Sequence, residues 1–248
     1  MKFKFRYVLI GLAVVLLLAV GGFVVWAQNA LGPGEQALAA LVADDQVNVR
    51  ESDGGVIVFE PTDAQPSTGF VFYPGGRVDY RSYAPTLREV AAKGYLVALV
   101  PAPLNLMVFD IDAADAVISQ FPQIKHWTVG GHSLGGAMAA SYLYSNPGVA
   151  DGLILWASYP AESNNLSDSG LKVLSIYGTL DMGGMEPFDA SRALLPANTT
   201  WVVIEGGNHA QFGDYGFQPG DNVATISAAD QQAQIATATV EFLDSLGE

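Results

Sequence analysis

From Phe70 onward, short apolar runs alternate with stretches of helix-forming residues, and this alternation restricts the fold more than any other feature of the chain. The run Tyr95-Leu96-Val97-Ala98-Leu99-Val100 carries no charge on either face of a strand, so both faces must be covered. Strands of that kind, joined by helices, form a parallel sheet with right-handed crossovers and helices on both sides. The pattern predicts an α/β fold with strands at 70–73, 95–100, 126–131, 152–157, 172–177 and 200–205. Helices are expected at about 82–93, 110–120, 134–145, 187–194 and 224–246. Ahead of them, Val47 to Arg50 and Val56 to Glu60 flank Ser52-Asp53-Gly54-Gly55, a turn signal that predicts a hairpin, and Glu35 to Ala43 reads as a short helix.

One junction in this pattern carries chemistry. Gly131-His132-Ser133-Leu134-Gly135 follows the apolar run Trp127-Thr128-Val129 and opens the small-residue stretch Gly136-Ala137-Met138-Ala139-Ala140. A serine at the apex of a strand-to-helix turn is the arrangement of a nucleophile elbow. Glycines two residues away on each side let neighbouring backbone approach closely where a Cβ would crowd it. The amide of Leu134, in the first turn of the new helix, has no helical partner and is available to a developing oxyanion.

A serine hydroxyl needs a histidine to take its proton, and that histidine needs an acid to orient it. The chain has three histidines. His132 adjoins the serine and reads as a packing or surface residue. His126 starts the strand leading into the elbow, at the wrong end of the sheet, and reads as solvent-facing. His209, in Gly206-Gly207-Asn208-His209-Ala210, follows the strand Thr200-Trp201-Val202-Val203-Ile204, which puts it on a loop at the carboxyl edge. For the acid, Asp181 follows Leu171-Lys172-Val173-Leu174-Ser175-Ile176 in the same manner. Asp151, Asp168 and Asp189 compete less well, and Asp214 lies close to His209 in sequence without being excluded. The order Ser133, Asp181, His209, each after its own strand, is the order this architecture uses.

A second oxyanion donor is expected on the loop after Gly69-Phe70-Val71-Phe72-Tyr73. In Pro74-Gly75-Gly76-Arg77 the amide of Gly76 is the first choice and that of Arg77 the second, with a plain turn as the alternative. Arg77, Leu104, Phe212 and Tyr215, on the loops after three carboxyl edges, are expected to line a substrate pocket, with ordinary loop packing as the rival. The segment Ser158 to Leu171 is too short for a large helical lid, so the site is expected to be open.

On Gly131-His132-Ser133-Leu134-Gly135-Gly136, Tyr73-Pro74-Gly75-Gly76, Gly178-Thr179-Leu180-Asp181 and Gly207-Asn208-His209, the chain resembles the α/β-hydrolase family from about residue 47 to the end. It looks most like small bacterial members related to dienelactone hydrolases. Those enzymes use a cysteine nucleophile and this chain has no cysteine, so their particular lactone chemistry is not implied. Pro74 also stands where many lipases and esterases of the family have histidine. The resemblance implies hydrolysis of esters, amides or related bonds without a cofactor. An acyltransferase or peptidase could use the same triad, and a non-catalytic binding module could use the same scaffold.

The first thirty residues are an appendage. Lys2, Lys4 and Arg6 precede an uncharged run from Tyr7 to Ala27, close to the ~20 residues that cross a bilayer as a helix. This length favours a retained anchor (7–27) over a signal peptide, although Val25-Trp26-Ala27 would pass as a cleavage site and give a secreted form. The basic residues at 1–6 should stay cytoplasmic, placing a linker and short helix (28–46) and a catalytic domain (47–248) outside the cell membrane. A formal net charge of −14 argues against nucleic acid or an anionic surface as the domain's partner, while the family resemblance implies a small-molecule acyl substrate. No metal-ligand spacing is present, so no metal is expected.

Overall fold

The apolar runs become strands and the stretches between them become helices. The computed structural model describes residues 2–52 and 54–247. In chain order the elements are α1 (Lys2–Gln28), α2 (Glu35–Ala39), β1 (Val47–Glu51), β2 (Ile57–Pro61), β3 (Thr68–Tyr73), α3 (Ala84–Ala91), β4 (Leu96–Leu99), α4 (Ala113–Gln120), β5 (His126–His132), α5 (Leu134–Ser145), β6 (Gly152–Trp156), β7 (Lys172–Gly178), α6 (Glu186–Ser191), β8 (Thr200–Ile204) and α7 (Ala228–Leu246).

The strands form one sheet in the order β1-β2-β4-β3-β5-β6-β7-β8. β1 and β2 pair antiparallel, β2 joins β4 antiparallel, and every pairing from β4 to β8 is parallel. The hairpin runs in register from Val47 opposite Pro61 to Glu51 opposite Ile57. Its expected turn residue Asp53 lies outside the described residues.

Successive side chains of a strand point to opposite faces, and here each face has its own core. Phe70 and Phe72 of β3, Val97 and Leu99 of β4 and Ile154 and Trp156 of β6 pack under α3 and α7. Val71 and Tyr73, Leu96 and Ala98, and Leu153 and Leu155 pack under α4 and α5 on the other face. This division is why the central strands read as unbroken apolar runs.

Helix boundaries follow local chemistry. α5 covers the expected 134–145. α7 starts at Ala228, later than expected, because the Ser227 hydroxyl accepts the Asp230 amide at 3.0 Å and caps the helix there. α2 stops at Ala39, short of the expected Ala43, where Arg88 takes the carbonyls of Ala40 and Val42 at 3.0 and 2.8 Å.

α1 stands apart. Its segment Arg6–Gln28 contains an 18-residue window of mean hydropathy 3.0 and is long and apolar enough to cross a membrane. Residues 6–22 are exposed, which is unlike a core helix, and Ala27 alone in the described part is fully buried. Gly21 and Gly22 sit together just before the turn that meets the domain, with nothing within 4 Å of a Cβ at either. Residues 28–34, expected as a plain linker, are instead bonded to the domain. Leu31 forms a bridge beside Val78, donating its amide to the Arg77 carbonyl at 2.8 Å and accepting the Asp79 amide on its carbonyl at 2.9 Å.

Candidate active site

Ser133 ends β5 and begins α5 at φ 52°, ψ −121°, a strained region for a residue with a side chain. The backbone around it explains the flanking glycines. A Cβ on Gly131 would overlap the Tyr73 carbonyl oxygen, and one on Gly135 would overlap the carbonyl oxygens of Tyr73 and Pro74. Two further bonds hold the turn. The Ser133 amide donates to the Trp156 carbonyl at 3.0 Å, and the Ser158 hydroxyl donates to the Ser133 carbonyl at 2.6 Å.

Asp181 and His209 meet across the ends of β7 and β8. His209 Nδ1 lies 2.9 Å from Asp181 Oδ2, and both side chains are buried, at 6% and 4% exposure. The second Asp181 oxygen accepts the Gly183 amide at 3.3 Å. The loop carrying His209 is fixed from below. Asp221 accepts the amides of His209 and Ala210 at 3.3 and 2.7 Å, and Gln231 accepts the Asn208 amide on Oε1 at 3.0 Å and donates Nε2 to the Asn208 carbonyl at 2.7 Å. Ser133, Asp181 and His209 all line one cleft of about 360 Å³. Among the described residues no hydrogen bond joins Ser133 to His209, a contact that commonly tightens only when substrate binds. Three of the four competing carboxylates are engaged elsewhere. Asp151 sits 3.2 Å from His126, Asp189 pairs with Arg192 at 3.1 Å, and Asp214 accepts the Ala37 amide at 2.8 Å.

The two amides expected to serve as oxyanion donors are both unbonded among the described residues. Leu134 opens α5 and has no carbonyl one turn behind it, and the Gly76 amide makes no hydrogen bond among the described residues. Gly76 abuts the nucleophile helix, since a Cβ there would stand 3.0 Å from Leu134 Cδ2. Arg77, the second choice, is committed otherwise, because its amide donates to the Asn105 carbonyl at 2.7 Å.

Comparison with known proteins comes to the same architecture. The model of the alpha/beta hydrolase family matches residues 69–233. The chain belongs to the alpha/beta hydrolase family. Its fold is similar to that of an esterase/lipase from an uncultured bacterium, with TM-score 0.61, 13% identity and coverage of 86% of this chain and 89% of that one. It is also similar to a thermostable esterase from Pseudomonas putida, at TM-score 0.55, 15% identity, 85% of this chain and 87% of that one. TT1662 from Thermus thermophilus aligns at TM-score 0.58, 15% identity, 80% of this chain and 99% of that one. Comparison with curated proteins gives no sequence match.

In this hydrolase the pocket differs from the sequence expectation. None of Arg77, Leu104, Phe212 and Tyr215 lines the cleft. Arg77 turns to the end of α1, with its guanidinium 4.6 Å over the Trp26 ring. Leu104 sits at φ 54° in a turn at 103–105 that packs against α1. Phe212 is fully buried and stacks on His132 with centroids 5.5 Å apart, and Tyr215 is buried beside Tyr83. The walls come instead from the loops after β6 and β7 and the start of α6, namely Ala157, Tyr159, Met182, Pro187 and Phe188. Ser158–Leu171 contains no helix among the described residues, so the cleft is open as expected.

Two residues beneath the site were not legible as functional. His132 is buried rather than at the surface, and burial holds its imidazole well below the ordinary histidine range, so it is neutral. Tyr83 Oη lies 2.8 Å from His132 Nδ1 and accepts the Gly75 amide at 3.1 Å. The Tyr83 hydroxyl bridges the Gly75 amide and the His132 ring nitrogen. The chain Gly75-Tyr83-His132 thus ties the oxyanion loop to the residue before Ser133. The only sequence signal was the position of His132 inside the elbow. Tyr83→Phe strands the buried Gly75 amide and is expected to cost about 1–3 kcal/mol of stability. Chemical unfolding of the two proteins measures it, and equal midpoints and slopes would sink this account of Tyr83.

Proposed function

We propose that this hydrolase is a serine esterase whose N-terminal helix anchors it in the cell membrane with residues 47–248 on the outer side. The observation that carries the reading is a strained serine apex on the same cleft as a buried histidine–carboxylate pair. His209, oriented by Asp181 through Nδ1, takes the proton of Ser133 while Oγ attacks the ester carbonyl. The amides of Leu134 and Gly76 hold the oxyanion, the alcohol leaves with the proton from His209, and an acyl-enzyme remains. Water, deprotonated by His209, then releases the carboxylic acid and restores the serine. The motif likeness to dienelactone hydrolases is compatible with this scheme, with serine in the place of cysteine and plain ester cleavage as the step.

The reading is tested with a fluorophosphonate probe on folded protein. Stoichiometric labelling of Ser133 that disappears in Ser133→Ala is the expected result. Labelling that survives the substitution, or never occurs, overturns the assignment.

A further inference from the structure

We propose that the cleft faces the bilayer and takes esters whose apolar part stays in the outer leaflet. This rests on the serine esterase reading and on α1 as the membrane span. The starting observation is that α1 is not a loose tether. Arg77 Nε and Nη2 donate to the carbonyls of Trp26 and Asn29 at 3.1 and 2.8 Å, and Asn105 Nδ2 donates to the Ala27 carbonyl at 3.2 Å. A cation and an amide on the last carbonyls complete the helix end. Phe109 meets Phe23 edge-on, with centroids 6.2 Å apart. Beyond the helix, Leu31 is bridged to the chain at Val78, and the Gly34 amide donates to the Asp214 carbonyl at 2.6 Å. Arg77, Leu104 and Asn105 all take positive φ at this joint, at 57°, 54° and 55°, a cost that persists only where surrounding contacts fix the backbone.

The place of the joint decides what the bilayer sees. Arg77 follows β3, and Asn105 and Phe109 follow β4, so α1 ends on the carboxyl edge of the sheet, where Ser133, Asp181 and His209 also lie. The docked turn, Phe23 to Gln28, rises about 9 Å. A bilayer surface anywhere between Gly22 and Gln28 therefore lies within about 10 Å of Arg77, and Gly76 beside it belongs to the oxyanion loop. The same edge carries exposed apolar side chains. Val108 and Phe109 flank the anchor, Tyr159 and Met182 stand at the cleft, and Phe217, 70% exposed, lies next to Gln218, which donates to Met182 Sδ at 3.3 Å. The net charge of −14 selects a zwitterionic surface over an anionic one. At such a surface an ester bond can enter the cleft while its chain remains in lipid. Water cleaves the bond to a carboxylic acid and an alcohol.

The absence of cysteine allows a direct test on the full chain in phosphatidylcholine vesicles. Phe109→Cys, Phe217→Cys and Gln123→Cys proteins, the last on the exposed opposite edge before β5, are labelled with a fluorophore and exposed to brominated lipid. Quenching at 109 and 217 with none at 123 is expected. No quenching at 217, or equal quenching at 123, overturns the proposal. In parallel, a long-chain fluorogenic ester embedded in the vesicles is compared with soluble p-nitrophenyl acetate, and kcat/KM at least tenfold higher for the embedded ester is expected. Ser133-dependent turnover of the soluble ester alone overturns the membrane-facing cleft and leaves the esterase reading intact. Absence of both turnover and fluorophosphonate labelling removes the esterase reading itself.

Discussion

His209→Ala is expected to lower kcat for an activated ester by roughly 10⁶-fold, and Asp181→Asn by roughly 10⁴-fold, each with little change in KM. The larger loss follows from removing His209, the group proposed to accept the Ser133 proton. The smaller follows from geometry. Asp181 Oδ2 lies 2.9 Å from His209 Nδ1, and a carboxylate there selects the neutral tautomer with the proton on Nδ1, the one whose Nε2 can act as base. An asparagine at 181 can turn its NH₂ group toward Nδ1, which then becomes the acceptor while Nε2 holds the proton. The imidazole stays in place in the wrong tautomer. Because the three residues act as one unit, Ser133→Ala/His209→Ala should be no slower than the worse single variant. Steady-state kinetics with active-site titration measures all of these, and an Asp181→Asn enzyme that keeps more than a tenth of kcat would discard Asp181 as the orienting acid.

Gly135→Ala is expected to cost at least about 4 kcal/mol, seen as a Tm lower by roughly 10 °C or as a loss of folded protein. The new methyl group would overlap the carbonyl oxygens of Tyr73 and Pro74, which belong to backbone and cannot rotate away. Either β3 moves from β5 or the elbow opens, and both moves separate Gly76 from Leu134. Gly183→Ala is the control. It also lies on the cleft, but the nearest atom to its Cβ would be Pro187 Cγ at 3.8 Å, an ordinary contact. Its stability should stay within about 0.5 kcal/mol of the parent. Thermal unfolding of the pair, followed by circular dichroism in detergent, decides the matter, and equal Tm values would refute the crowding argument.

The sequence made the sheet legible because each central strand is apolar on both faces. It made α5 legible to the residue, because glycines and alanines begin where backbone must cross backbone. Asp181 and His209 could be paired in advance since each follows an apolar run, and a parallel sheet sends all such loops to one edge. The pocket walls could not be read the same way. Which way a loop folds over the edge depends on what it meets, and nothing in Gln211-Phe212-Gly213-Asp214-Tyr215 reveals that Phe212 turns inward onto His132. Met182 and Phe188, which do line the cleft, sit in a glycine-rich stretch with no periodic pattern. Arg77 was misplaced for a related reason. Its partner, the end of α1, is about fifty residues away in sequence, and local patterns carry no record of that contact.

The glycine pair at 21 and 22 gives the docked helix a further property. Glycine lowers the resistance of a helix to bending, and the pair stands immediately before the turn gripped by Arg77 and Asn105. A spanning helix leans more in a thin bilayer and less in a thick one. If α1 spans the bilayer as proposed, a stiff joint on one side and a pliable step on the other would let the glycines absorb that lean. The domain would then keep one attitude and one height over membranes of different thickness, as a float does on a hinged arm.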